Sequence, residues 1–314
     1  MEKFIEGSWR TSSDRFTGLK DFINLSNKAF PSNVGNKNVH YSELYSSWIL
    51  LMYAAHEASF VGYSESVMRV FSHLNLEPDK LPENIKSHHI SRTLLLANEV
   101  KNGISHQNQS DVDLESLIMN ASTSNWVNNS ALMRLDKNAW PDAIEEILGR
   151  ISFDGSDTSW MNDTYQGSSN TYKGVIKWLV QERNSLAHGN RPDTFEAFDI
   201  ILDNVDVIAD FSRRSKCFLQ VALASHFPQL LSAELGDVAD MNIGENIIPF
   251  ETVHNDISVG DHVLLKQRTG KLATSYVKSI KSGDKKLNIA EAGSTKVAIC
   301  FNRSVKECSI YLAF

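Results

Sequence analysis

Cysteine is scarce. The chain has three, Cys217, Cys300 and Cys308, an odd number with no Cys-x-x-Cys spacing. That argues against a disulfide scaffold and a cysteine zinc site, and it fits a reducing cytoplasm. No run of eighteen apolar residues occurs, so no membrane-spanning helix is expected. Met1-Glu-Lys-Phe-Ile-Glu-Gly lacks the apolar stretch of a signal peptide. There is no internal repeat, and none of the ten histidines sits in an obvious ligand cluster. Neither a metal nor a cofactor is expected.

An excess of positive charge is also missing: the formal net charge is −7. Its distribution says more. From Ser258 to Phe314 ten Lys/Arg stand against four Asp/Glu, a balance of +6, which leaves −13 for the rest of the chain. An acidic body carries a basic tail. With 42% hydrophobic and 22% charged residues, 314 residues suffice for two domains with real cores.

The first 36 residues are rich in Ser, Asn, Gly and Asp and read as a short helix or loop. Helical periodicity starts near Tyr41 and runs to Leu74, through Leu44, Trp48, Leu51, Met52, Ala55, Ser59, Val67, Val70 and Phe71. A helix follows from Ile90 to Val100, with Leu94, Leu95 and Leu96. Ser105 to Asn129 is polar, with one short helix near Leu114. A further helix after Trp140-Pro141 has Pro in its first turn. Thr171 to His188 is helical and stops at Gly189-Asn-Arg-Pro192. A long helix from Pro192-Asp-Thr to about His226 carries Phe195, Phe198, Ile201, Val205, Ile208 and Phe211. After about residue 240 the pattern changes, with about five short alternating or β-branched runs from Val259 on punctuated by Gly260, Gly270, Gly283 and Gly293, which suggests a small SH3-like or OB-like barrel.

The chemically informative stretch is Glu182-Arg-Asn-Ser-Leu-Ala-His188-Gly189, at the end of an apolar helix. Histidine titrates near working pH and suits proton transfer. Arginine offers a permanent positive fork that fits phosphate oxygens. Such a pair can serve RNA cleavage: the 2′-hydroxyl attacks the neighbouring phosphate, a base removes its proton, a cation stabilises the phosphorane and an acid protonates the leaving 5′-oxygen. Five residues at 100° each put Arg183 and His188 about 140° apart on a regular helix, so sharing a face needs the last turn to loosen. Glu182 is a candidate to fix the guanidinium, Asn184 to bind phosphate or orient His188, and Glu57 a more distant partner of Arg183. In the basic tail, Lys266, Arg268, Lys271 and Lys278 are candidate RNA contacts. The bland readings are a surface Arg paired with an acid beside a helix-capping His, and a solvated or protein-docking basic face. His56 with Glu57 and His88-His89 read as packing or solvated residues rather than metal ligands, and Trp48 and Trp178 as core.

The Arg183-Asn184…His188 spacing resembles the signature of HEPN ribonucleases. Ser124-Asn-Trp-Val-Asn-Asn-Ser130, with the helix ending Ile147-Leu-Gly-Arg-Ile, and Ala54-Ala-His-Glu57-Ala-Ser-Phe resemble segments of the RiboL-PSP type of that superfamily. The resemblance spans roughly residues 40 to 225. It implies a mainly α fold with a HEPN-like helical domain, assigned to 37–240; the N-terminal segment over 1–36 and the basic, small β-barrel-like domain over 251–314 lie outside it. It also implies a homodimer facing two Arg–His pairs across one cleft, products with a 2′,3′-cyclic phosphate and a 5′-hydroxyl, and a role as a toxin or anti-phage effector. An antitoxin or a phage-derived trigger protein would be a partner in such a role. The rival readings are a HEPN-like module that binds RNA, nucleotide or protein without cutting, and a scaffold whose barrel recruits another protein.

Overall fold

The computed structural model describes residues 4–29, 37–75, 80–103, 114–115, 129–135, 138–153, 157–165, 170–190, 195–231, 234–239, 244–305 and 307–313. The chain divides into two compact units, Gly7–Lys216 and Met1–Glu6 with Cys217–Phe314. Among the described residues the helices are α1 (Phe4–Ala29), α2 (Lys37–Leu74), α3 (Glu83–Lys101), α4 (Asn129–Leu132), α5 (Pro141–Arg150), α6 (Tyr172–Ala187) and α7 (Phe198–His226). None is long and apolar enough to cross a membrane.

The N-terminal stretch expected as a short helix or loop is the 26-residue helix α1. Its Ser and Thr residues mimic loop composition, but their hydroxyls bond back one turn: Thr11 to the Gly7 carbonyl, Ser12 to Ser8, Thr17 to Ser13. Phe16, Leu19 and Ile23 are buried at helical spacing. The face of α2 also differs from expectation. Tyr45, Trp48, Ile49 and Met52 are buried, while Leu51 is exposed. Steps of 100° carry residue 51 away from the stripe that holds 45, 48, 49 and 52. Trp48 donates its indole N–H to Ser26 of α1 at 2.9 Å. Trp178 is half-buried, and on α3 Leu96 is buried while Leu94 and Leu95 are exposed. Most of the polar stretch from Ser105 to Asn129 lies outside the described residues, as does the Pro192 start expected for the last helix; α7 begins at Phe198.

Phe211 of α7 sits among Trp160, Phe60 and Tyr172, with ring centroids at 5.3, 5.9 and 6.4 Å. Beside it, Asp210 accepts from the Tyr172 hydroxyl at 2.5 Å and pairs with Arg213 and Arg214. Burial pushes the Asp210 carboxyl up, but the two guanidiniums and the Tyr172 hydrogen bond outweigh it and hold the group low. Tyr172 opens α6, so this network fixes where that helix starts.

In the other unit, the strands among the described residues run β1 (Gly236–Val238), β2 (Ile247–Val253), β3 (Ile257–Ser258), β4 (His262–Gln267), β5 (Leu272–Ser282), β6 (Lys285–Leu287), β7 (Ile289–Ala290), β8 (Thr295–Phe301) and β9 (Cys308–Leu312). The antiparallel sheet follows the order β1-β2-β8-β5-β4-β9, with β6 on β5 and a separate β3–β7 pair. It curls until its path ends approach: Glu234 bridges Tyr311, and the Leu235 N–H donates to the Ile310 carbonyl at 2.7 Å. Phe250, Val263, Val277, Ile280, Ile299 and Phe301 fill the inside. β1 and β2 precede the strands legible in the sequence. Gly236 is needed there, because a Cβ would come within 2.2 Å of the Thr252 carbonyl oxygen.

Arg150 closes α5 and is 2% exposed. Its guanidinium donates to the carbonyls of Leu132 and Arg134 at 2.9 and 3.0 Å and to Glu146 at 2.8 Å. It therefore ties the α4 segment to α5. Arg150→Met keeps the volume but strands two inward-facing carbonyls, and the expected loss is about 3 kcal/mol. Urea unfolding of the variant beside wild type reads it; an unchanged midpoint contradicts this role.

Candidate functional site

The helix α6 has a defined start and stop. Thr171 caps it, its hydroxyl accepting from the Gly174 N–H at 3.1 Å. At the other end the Gly189 N–H bonds to the Leu186 carbonyl and the Asn190 N–H to the Ser185 carbonyl, with Gly189 at φ +78°. That pattern is a Schellman motif, and the positive φ is what glycine tolerates. His188 is the C-cap residue, exposed, and its N–H is shared between the carbonyls of Asn184 and Ser185. The helix stays regular through Ala187, so the last turn does not loosen before the histidine. Along the axis, Arg183 and His188 are separated by about 7.5 Å and point about 140° apart.

Arg183 is half-buried and lies over the ring of Tyr53 on α2, 4.6 Å from the centroid. Its guanidinium also donates to the Asn184 side-chain oxygen at 3.1 Å, which accepts from Asn138 at 3.0 Å as well. Among the described residues no carboxylate pairs with Arg183. Tyr53 is itself pinned: its hydroxyl donates to Glu57 at 2.9 Å and accepts from the Ala139 N–H at 3.3 Å. Burial first, then the bond to Glu57, pushes the phenol up to about 12, so it stays protonated and neutral. Ala139 is held from a second side, because His56 lies 3.1 Å from its carbonyl. A carbonyl only accepts, so Nε2 of His56 carries the proton.

Each expected residue has a place. Asn184 meets Arg183 and Asn138 through its side chain and reaches His188 only through its backbone carbonyl. Glu57 lies beneath Tyr53, joined to Arg183 through the ring. Glu182 turns the other way and accepts from Tyr45 at 3.4 Å; burial first, then Glu196, raises its carboxyl. Lys266, Arg268 and Lys271 are exposed around the β4–β5 hairpin, and Lys278 is exposed on β5. The sequence reading missed Tyr53, Asn138 and the backbone of Ala139. The available signal was the Tyr53–Glu57 spacing of four on one helix. Among the described residues no group of three His, Cys, Asp or Glu forms a metal-binding cluster.

His56 gives this site a pH signature. It is wholly buried, and burial lowers its pKa from 6.5 to about 4. Between those values the unfolded chain binds a proton that the folded chain does not. Stability is therefore full above pH 6.5 and falls as pH drops toward 4, by about 3 kcal/mol for this group. His56→Asn retains a donor for Ala139 without titrating. Denaturant unfolding between pH 7 and 4.5 should show a shallower loss for the variant than for wild type, and identical slopes contradict the assignment.

No curated protein and no solved structure matches the chain. A family model does: the RiboL-PSP-HEPN model matches residues 10–219, which include α2, α6 and every residue placed around Arg183. HEPN domains are commonly ribonucleases or RNA-binding modules. With more than half of its 314 residues matched, the chain belongs to the RiboL-PSP-HEPN family.

Proposed function

We propose that the chain is an endoribonuclease that cuts RNA by attack of a 2′-hydroxyl on the adjacent phosphate, with no metal taking part. The observation that carries this reading is the state of Arg183: a cation held on an aromatic face, with no carboxylate pairing it among the described residues, five residues before an exposed histidine. Arg183 stabilises the charge that builds on the phosphorane oxygens. His188 transfers a proton, as base to the 2′-hydroxyl or as acid to the leaving 5′-oxygen. Asn184 and Tyr53 hold the guanidinium in place, and Glu57 holds Tyr53.

One chain supplies one Arg183 and one His188 directed about 140° apart. Base and acid must lie on opposite sides of the phosphorus, so two copies serve the reaction better than one. The proposed working form is a homodimer in which two such pairs line one cleft. Its products carry a 2′,3′-cyclic phosphate and a 5′-hydroxyl. Such an enzyme fits a cytoplasmic toxin or anti-phage effector, restrained by an antitoxin or released by a phage-derived trigger. In the β unit, Lys266, Arg268, Lys271 and Lys278 are candidates to hold the RNA.

The second reading is a module that binds RNA or nucleotide without cutting it. The presence of both Arg183 and His188 favours catalysis. The two are separated by His188→Ala and Arg183→Ala, assayed on labelled single-stranded RNA in EDTA. Each is expected to lower the cleavage rate at least 100-fold; His188→Ala leaves the unfolding midpoint near that of wild type, because His188 is exposed, and Arg183→Ala costs no more than about 2 kcal/mol, the worth of its contact with Tyr53. His188→Ala cutting at the wild-type rate refutes the nuclease reading.

A further inference from the structure

Four lysines of the β unit lie close together in sequence on β5 and the β5–β6 hairpin: Lys278, Lys281, Lys285 and Lys286. In the β5–β6 hairpin, Lys281 stands directly opposite Lys286, and Lys285 opposite Ser282. The neighbouring pair, Ile280 and Leu287, faces the core. Strand alternation therefore puts Lys281 and Lys286 on the outer face, side by side. Across the other edge of β5, Lys281 faces Ala298 and Ser279 faces Cys300, so β8 brings no acid to that row. Lys278 is the extra residue of an irregularity between Val277 and Ser279. All four lysines are exposed, and among the described residues none is in an ion pair or side-chain hydrogen bond. The hairpin's own acid is Asp284, in the turn.

Like charges directly opposite one another destabilise a sheet, so this arrangement does nothing for the fold. It does create a compact cationic face on a module whose last 57 residues carry +6. Lysine ammoniums are point charges on flexible stems. They suit a backbone of repeated phosphates, where arginine forks would suit bidentate contacts to single groups. We propose that the outer face of the β5–β6 hairpin, formed by Lys278, Lys281 and Lys286, binds the phosphate backbone of single-stranded RNA. The choice of RNA rests on the nuclease reading, and single strands follow from the chemistry: in-line attack by a 2′-hydroxyl needs a backbone free of a regular duplex. The face lies outside residues 10–219, so it is an addition to the HEPN domain rather than part of it.

Fluorescence anisotropy with a labelled 20-nucleotide oligouridylate tests the proposal on the full chain. His188→Ala is present throughout so that the RNA survives. Lys281→Ala with Lys286→Ala should weaken binding roughly tenfold and reduce the slope of log affinity against log salt by about 1.4, the share of two phosphate contacts. Lys281→Arg with Lys286→Arg should retain both affinity and slope. Lys266→Ala with Lys271→Ala, at the far end of β5, should have the smaller effect. Unfolding midpoints of all variants should match that of the parent or exceed it. The proposal is overturned if the alanine pair leaves affinity and slope unchanged, if its loss comes with an unchanged slope, if the hairpin-tip pair has the larger effect, or if the parent does not bind the RNA. Binding is read without cleavage, so a chain that holds RNA through these lysines yet never cuts it sinks the nuclease reading and leaves this one standing.

Discussion

A guanidinium resting on a phenol ring organises the helical unit around its candidate site. Cation–π contact between Arg183 and Tyr53 contributes on the order of 0.5–2 kcal/mol, comparable to a modest ion pair. It differs in one respect that matters for chemistry: the ring holds the cation without neutralising it. A carboxylate in that position would compete with any phosphate. Here the carboxylate, Glu57, is kept one residue removed, on the hydroxyl of Tyr53. The charge of Arg183 is thus fixed in position and left with its full attraction for an anion.

The surrounding contacts converge on that arrangement. Tyr53 and His56, on successive turns of α2, grip the N–H and the carbonyl of Ala139, and Asn138 reaches across to Asn184 on α6. Two helices and the segment before α5 are joined at one place. At the opposite end of α6, Tyr172 and Asp210 set its start. The Schellman motif at Gly189 then fixes where the helix ends, which decides that His188 occupies the cap and faces solvent.

The candidate residues could be named from the sequence, and the contacts that surround them could not. Arg183, Asn184 and His188 announce themselves by spacing at a helix end, and Gly189 by its position just past that end. Tyr53 did not, because a tyrosine in an apolar helix reads as core, and only the fold shows which side chain its ring meets. Glu182 is a sequence candidate to fix the guanidinium, but neighbours on a helix point 100° apart, and Glu182 meets Tyr45 instead. The same limit applies to the fold. α5 and α6 were readable from their apolar period and their caps. α1 was hidden by Ser and Thr residues that bond to their own helix. The lysine pair on β5 and β6 is invisible without register, since residues 281 and 286 become neighbours only once the hairpin is paired.

The central claim is that a fixed cation and an exposed imidazole act together on one phosphodiester, with the RNA's own 2′-hydroxyl as nucleophile. The ends left on the RNA report this most directly. Wild-type chain incubated with a labelled single-stranded RNA in EDTA should leave a 2′,3′-cyclic phosphate on one fragment and a 5′-hydroxyl on the other, as mass spectrometry of the fragments would show. Fragments ending in a 3′-hydroxyl and a 5′-phosphate, or cleavage that stops when EDTA is added, would contradict the account.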